Sequence, residues 1–165
     1  SEPETQALNR FFESKRDSIT MAVSLHSYGR SILHPYSCQS LGMKLNSTFL
    51  SLFQFAVEDL LQNIHAKYTT GQAWATPGLY SVNGDAVDYL FSHFAIPSFS
   101  VEVGFLSSKT QLPPSYPQLS EMRGFWPSME PFLEECNQLL LNALRTSGCN
   151  LQLGRRFLKV GVGGC

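Results

Sequence analysis

The sequence predicts an α/β fold, a mixed, mostly parallel sheet flanked by helices, and three observations carry that expectation. Stretches with helical spacing alternate with strand-like runs along the chain. The run Ile19–Leu25 is rich in β-formers and mostly apolar, as a strand buried on both faces should be. At 165 residues the chain can build one sizeable core, so a single domain is expected.

The elements follow in order. Ser1 with Glu4 three residues on reads as a capping box, Pro3 is tolerated in the first turn, and a helix should run to about Lys15 with Leu8, Phe11 and Phe12 on one side. After the Ile19–Leu25 strand, Leu45, Phe49, Phe53, Ala56, Leu60 and Ile64 recur at helical spacing, predicting a helix from Lys44 to about Lys67. Tyr68–Asn83 reads as loop, punctuated by Gly71 and Pro77. A short helix over Asp85–Phe94 leads into a second strand, Ser98–Val103. Leu112-Pro113-Pro114 and Tyr116-Pro117 mark an extended loop. A last helix, from about Ser128 to Leu144, should bury Phe132, Leu133, Cys136, Leu139, Leu140 and Leu144. The Gly-containing tail 147–165 has little to pack with, and no strand leads into it as a phosphate loop would need.

Composition narrows the partners. Apolar content of 43% with 15% charged residues fits a folded chain, and a net charge of -1 gives no field for nucleic acid or anionic lipid. No apolar run approaches the roughly 20 residues of a membrane span. The four cysteines, Cys38, Cys136, Cys149 and Cys165, show no C-x-x-C spacing, which disfavours a structural zinc cluster and leaves disulfides open. Asn46-Ser47-Thr48 is a glycosylation sequon, usable only in a secretory pathway.

Sheets of this class place sites at the carboxyl ends of strands, where His26 and Glu102 both fall. Taken singly, each has a bland reading: a hydrogen-bonded structural histidine, an exposed strand-end carboxylate. Tyr80, in a Gly-punctuated loop, would ordinarily be a packed or surface aromatic. His34, His65 and His93 read as structural, His34 in a turn before Pro35, His65 on the polar side of the long helix and His93 at the end of the short one.

Taken together and in order, Ser1-Glu2-Pro3-Glu4, His26-Ser27-Tyr28, Pro35-Tyr36, Leu79-Tyr80, Gly84, Asp88 and Glu102 resemble the C-terminal half of a zinc metallocarboxypeptidase of the pancreatic A/B type. The resemblance implies that residues 1–146 are half of a catalytic domain. It makes His26 the third zinc ligand, after a His-x-x-Glu pair far upstream, and Ser27 and Tyr28 part of the peptide-binding cleft. Glu102 becomes the general base and Tyr80 a hinged lid over the bound peptide. The pocket for the departing C-terminal side chain would be lined by Leu33, Ser37, Ala75, Leu79, Asp85, Val87 and Ser100. Val87 holds the floor position that is apolar in A-type and aspartate in B-type enzymes, pointing to apolar C-terminal residues, while Asp85, where glycine is common, would attract Lys or Arg. In the family the bonds matching Ser27-Tyr28 and Pro35-Tyr36 are cis.

The sequence also departs from the family. His34, His65 and His93 are followed three residues later by Ser37, Tyr68 and Ile96, so no His-x-x-Glu is present. After Glu102 the family continues Leu-Arg-Asp, where this chain has Val103-Gly104-Phe105. The implied activity is removal of C-terminal residues from peptides or proteins by a secreted enzyme holding one Zn2+. Its partner would be the missing N-terminal half of the domain, without which this chain is expected to be inactive. The alternative is a non-catalytic binding or regulatory module on the same fold.

Overall fold

A computed structural model describes residues 2–42, 44–104 and 129–149 of the chain. Helix α1 (Pro3–Lys15) begins with proline in its first turn, and Glu2 at its N-cap makes no side-chain capping bond. Ser1 of the expected capping box lies outside the described residues, as do the Leu112–Pro117 loop and the tail beyond Cys149. Strand β1 (Ala22–Ser27) starts later than the apolar run suggested, and a three-residue strand, β2 (Ser31–Leu33), follows it. The short α2 (Gln39–Gly42) ends on a glycine for lack of room: a Cβ there would sit 2.0 Å from Trp74 Nε1.

Helix α3 (Ser47–Leu60) is capped by Asn46, whose side chain accepts the Phe49 amide at 3.0 Å, satisfying one of the donors a helix start leaves open. It stops short of the expected Lys67, because Asn142 Nδ2 takes the Leu60 and Gln62 carbonyls at 2.9 and 2.6 Å and Asn63 turns the chain at φ 60°. His65 is therefore an exposed loop residue, not part of the helix. The stretch read as loop contains strand β3 (Thr69–Gly71) and a single 3-10 turn at Ala73–Ala75. Helix α4 (Ala86–Phe94) is capped by Asp85, strand β4 (Ser98–Val103) has the expected bounds, and α5 (Met129–Cys149) runs into what was read as tail.

The four strands form one mixed sheet in the order β1-β4-β2-β3. The β1/β4 and β2/β3 pairs are parallel and β2/β4 is antiparallel. Alternation along β4 puts Phe99, Val101 and Val103 on the core side, where Phe53 of α3 packs edge-on against Phe99 at 5.6 Å and Phe91 of α4 against Phe53 at 5.1 Å. Ser98 and Ser100, on the opposite face, are also buried, so β4 is the strand covered on both faces. That description does not hold for β1, which pairs only with β4 among the described residues and leaves Leu25 42% exposed. An edge strand has one row of backbone groups without a ladder partner.

Helix α5 corrects the expected pattern in another way. Leu133, Leu140 and Leu144 are 47%, 45% and 71% exposed, and the buried positions are Glu135, Leu139, Asn142 and Thr146. Their spacing is helical: Leu139 is buried as expected and joins the core with Cys136 and Ala143 packed against it, while Glu135, Asn142 and Thr146 make polar contacts on the same face; the Phe132 side chain lies outside the described residues. Cys38 and Cys136 are free thiols.

Candidate active site

Parallel pairing of β1 with β4 sets His26 directly opposite Glu102, with Ser24 opposite Ser100 on the same face. Ser24 Oγ and His26 Nε2 lie 2.9 Å apart, and the imidazole is otherwise exposed. Past β1 the chain turns through the cis bond Ser27-Tyr28, and the Gly29 amide donates to the Gly104 carbonyl at 3.2 Å. This turn passes close over Glu102: a Cβ on Gly29 would be 3.8 Å from the Glu102 Cβ. Glu102 is half-buried, and desolvation pushes its carboxyl above the usual range, with the neighbouring His26 charge working in the opposite direction. A carboxyl raised toward neutrality is suited to accept and return a proton.

The second cluster gathers around Ser37. Its amide donates to both Asp88 oxygens at 2.9 and 3.0 Å, and its hydroxyl donates to Asp85 Oδ2 at 2.6 Å. Asp85 Oδ1 accepts the Val87 amide at 3.2 Å, so this carboxylate is first a helix cap. Burial raises the Asp88 pKa; the Ser37 amide opposes this and Asp85 adds to it. Val82 N–H to the Ser37 carbonyl, at 3.1 Å, and Gln39 N–H to Ser81 Oγ, at 3.0 Å, stitch the loop that carries Tyr80 to this cluster. Tyr80 itself is 74% exposed.

The remaining pocket residues are placed unevenly. Leu33 and Ser100 are register partners across β2/β4 and both are buried, as is Val87, while Ala75 and Leu79 are exposed. The cis bond at Pro35-Tyr36 is also present. A groove of about 760 Å³ opens between α1 and α4, walled by Leu8, Phe12, Tyr89 and Leu90; neither His26 nor Glu102 lines it. Sequence reasoning missed Arg30, Tyr68 and Glu135, which meet in the interior, and His34, which is buried and stacked on Phe53 at 4.8 Å. Glu135 could have been found from its helical spacing with Leu139, since a carboxylate on a buried face requires a partner.

A family model described as zinc carboxypeptidase matches residues 1–140. The chain belongs to the zinc carboxypeptidase family. It is 30% identical over 121 residues to carboxypeptidase B of Canis lupus familiaris, covering 70% of this chain and 29% of that protein. Carboxypeptidase O of Homo sapiens is likewise 30% identical, over 128 residues, with 73% and 33% covered. Among solved structures, thrombin-activatable fibrinolysis inhibitor superposes with a TM-score of 0.60 at 24% identity, over 92% of this chain and 34% of that one. Carboxypeptidase A of Helicoverpa armigera superposes with a TM-score of 0.57 at 20% identity, over 91% and 35%. These two likenesses show the carboxypeptidase fold, and the chain spans about a third of the length of the named relatives it matches.

A catalytic zinc takes three protein ligands and keeps a position for water. Among the described residues no three His, Cys, Asp or Glu side chains converge to hold a metal, and His26 offers one nitrogen. The described side chains do not make a zinc site by themselves.

Proposed function

We propose that this chain is the C-terminal half of the catalytic domain of a metallocarboxypeptidase that hydrolyses the C-terminal peptide bond of peptides and proteins. The observation that carries the reading is the register pair His26–Glu102 at the carboxyl ends of adjacent parallel strands, in a chain whose family match covers residues 1–140. In this reading His26 is one zinc ligand, and the other two come from a His-x-x-Glu segment outside the 165 residues. Glu102 is the general base: its carboxylate takes a proton from the attacking water and passes it to the leaving amine. Ser27 and Tyr28 bind the peptide, and Tyr80 closes over it. Leu33, Ser37, Ala75, Leu79, Asp85, Val87 and Ser100 surround the departing side chain. Asp85 is committed to Ser37 and to the α4 cap, which leaves less of its charge for a substrate cation, so Val87 favours apolar C-terminal residues.

Alone, the chain binds zinc weakly and hydrolyses no blocked dipeptide; its partner is the front half of the domain. Secretion is supported by the exposed sequon at Asn46, and no described helix is long and apolar enough to cross a membrane. The scarcity of metal donors favours one second reading, a non-catalytic binding or regulatory module on the same fold.

The two readings separate in the protein that joins this sequence to a His-x-x-Glu segment. It is expected to release C-terminal residues, and Glu102→Gln is expected to abolish turnover while zinc content, measured by atomic absorption, stays unchanged. Unchanged activity or loss of metal in that variant removes Glu102 from the role of base.

A further inference from the structure

One interior carboxylate collects three donors from three different stretches of chain. Glu135, on α5, has a side chain only 7% exposed. Its Oε2 accepts Arg30 Nη2 at 3.0 Å, and its Oε1 accepts the Tyr68 hydroxyl and the Gly104 amide, the latter at 3.4 Å. Burial, and next the Glu135 acceptor, push the Tyr68 phenol far up, so it remains a donor at every physiological pH.

The donors sit at informative places. Arg30 follows the turn His26-Ser27-Tyr28-Gly29 and opens into β2, Tyr68 precedes β3, and Gly104 comes two residues after Glu102. One backbone conformation here needs support from its surroundings: Arg30, with a side chain, has φ 49°, between Gly29 at φ 152°, which glycine adopts freely, and the start of β2. Two backbone bonds, Gly29 N–H to Gly104 O at 3.2 Å and Thr69 N–H to Arg30 O at 2.9 Å, tie the same segments together. The turn carrying Ser27 and Tyr28 and the strand end carrying Glu102 are thus joined to each other and, through Glu135, to α5.

We infer that Glu135 is a positioning residue that fixes the Ser27–Tyr28 turn against Glu102, holding Arg30 on one carboxylate oxygen and the Gly104 amide on the other. The link to catalysis rests on the roles proposed above for Ser27, Tyr28 and Glu102; the clamp itself does not.

The experiment uses the protein that joins this sequence to the front half, followed by amide hydrogen exchange and by steady-state kinetics. In Glu135→Gln the amides of Gly29 and Gly104 should exchange about tenfold faster or more, while those of α3 and α4 keep their rates. Tyr68→Phe, which removes one donor and keeps the ring, should show a smaller change at the same amides, giving a second measurement if the first variant folds poorly. Arg30→Gln combined with Glu135→Gln, a neutral pair, should recover part of the lost protection. Unchanged exchange at Gly29 and Gly104, or a uniform rise across the molecule, overturns the clamp. In kinetics, Glu135→Gln should lower kcat about tenfold with KM nearly constant, as expected for a misplaced base rather than lost binding. Local loosening with unchanged kcat overturns instead the roles given to Glu102 and the Ser27–Tyr28 turn, so the two failures are told apart.

Discussion

Burial moves Glu102 and His34 to opposite consequences with pH. Glu102 has a raised carboxyl, so in an active protein the acid limb of kcat/KM should lie above 4.5, its ordinary value. For stability, a raised folded pKa means that Glu102 contributes fully below 4.5 and that this contribution is lost as pH rises through the folded value. His34 has the reverse sign. Desolvation lowers its pKa from 6.5, opposed by the Nδ1–H bond it donates to the Pro35 carbonyl at 2.8 Å. The unfolded chain then binds a proton that the folded one refuses, so the contribution is full above pH 6.5 and is lost as pH falls from there to the folded value. The carboxylates Asp85 and Asp88 lie around Ser37, while the ring is stacked on Phe53, and desolvation, opposed by the Pro35 hydrogen bond, sets this titration. His34→Phe, which can keep the stack on Phe53, is expected to show a flatter Tm–pH curve through that acidic window. Equal slopes in the two proteins would place the acid sensitivity elsewhere.

At the scale of elements, α5 combines the expected core contact of Leu139 with buried hydrogen bonds that the apolar spacing did not foretell. Asn142 is 2% exposed, accepts Gln138 Nε2 at 2.9 Å, and closes the end of α3 through the Leu60 and Gln62 carbonyls. Asn142→Leu leaves those carbonyls without their donor, and a loss of about 1–3 kcal/mol is expected in urea unfolding. A stability change near zero would mean that water replaces the amide. This helix also shows what could be read in advance and what could not. β4 and α4 were legible to within a residue because turn residues bound them and their apolar periodicity is regular. β2 and β3 are too short, at three residues each, to show any period, and they form only because β4 offers Ser100, Val101 and Glu102 as partners to β2. The end of α3 was overestimated because Ile64 extends its apolar spacing, while the actual stop is imposed by Asn142, 82 residues from Leu60. At the candidate site, His26 and Glu102 were singled out through strand-end position and family pattern, and the register sets them opposite each other. Glu135 was missed because its three donors are far apart in sequence and no local pattern links them.

Considered whole, the described residues show exposed apolar side chains on α1 and a strand, β1, with one pairing neighbour among them. Leu8 is 60% and Phe11 52% exposed on α1, no α1 residue is buried, and among the described residues β1 lies at the end of the sheet with Leu25 exposed. Exposed strand edges and exposed large apolar side chains promote self-association. The isolated chain is expected to elute as aggregates in size-exclusion chromatography, or to melt in a broad low-temperature transition. A soluble monomer with a sharp thermal transition would contradict the half-domain reading. The side of β1 without a partner among the described residues has a further consequence for handling the protein. It is a seam made of main-chain hydrogen-bonding groups, next to His26, and a seam of that kind can be closed by a second polypeptide as well as by the same one. Under the proposed function, two separately expressed segments, co-refolded, would show peptide hydrolysis only when the ladder along β1 zips up, making hydrolysis a reporter of fragment complementation.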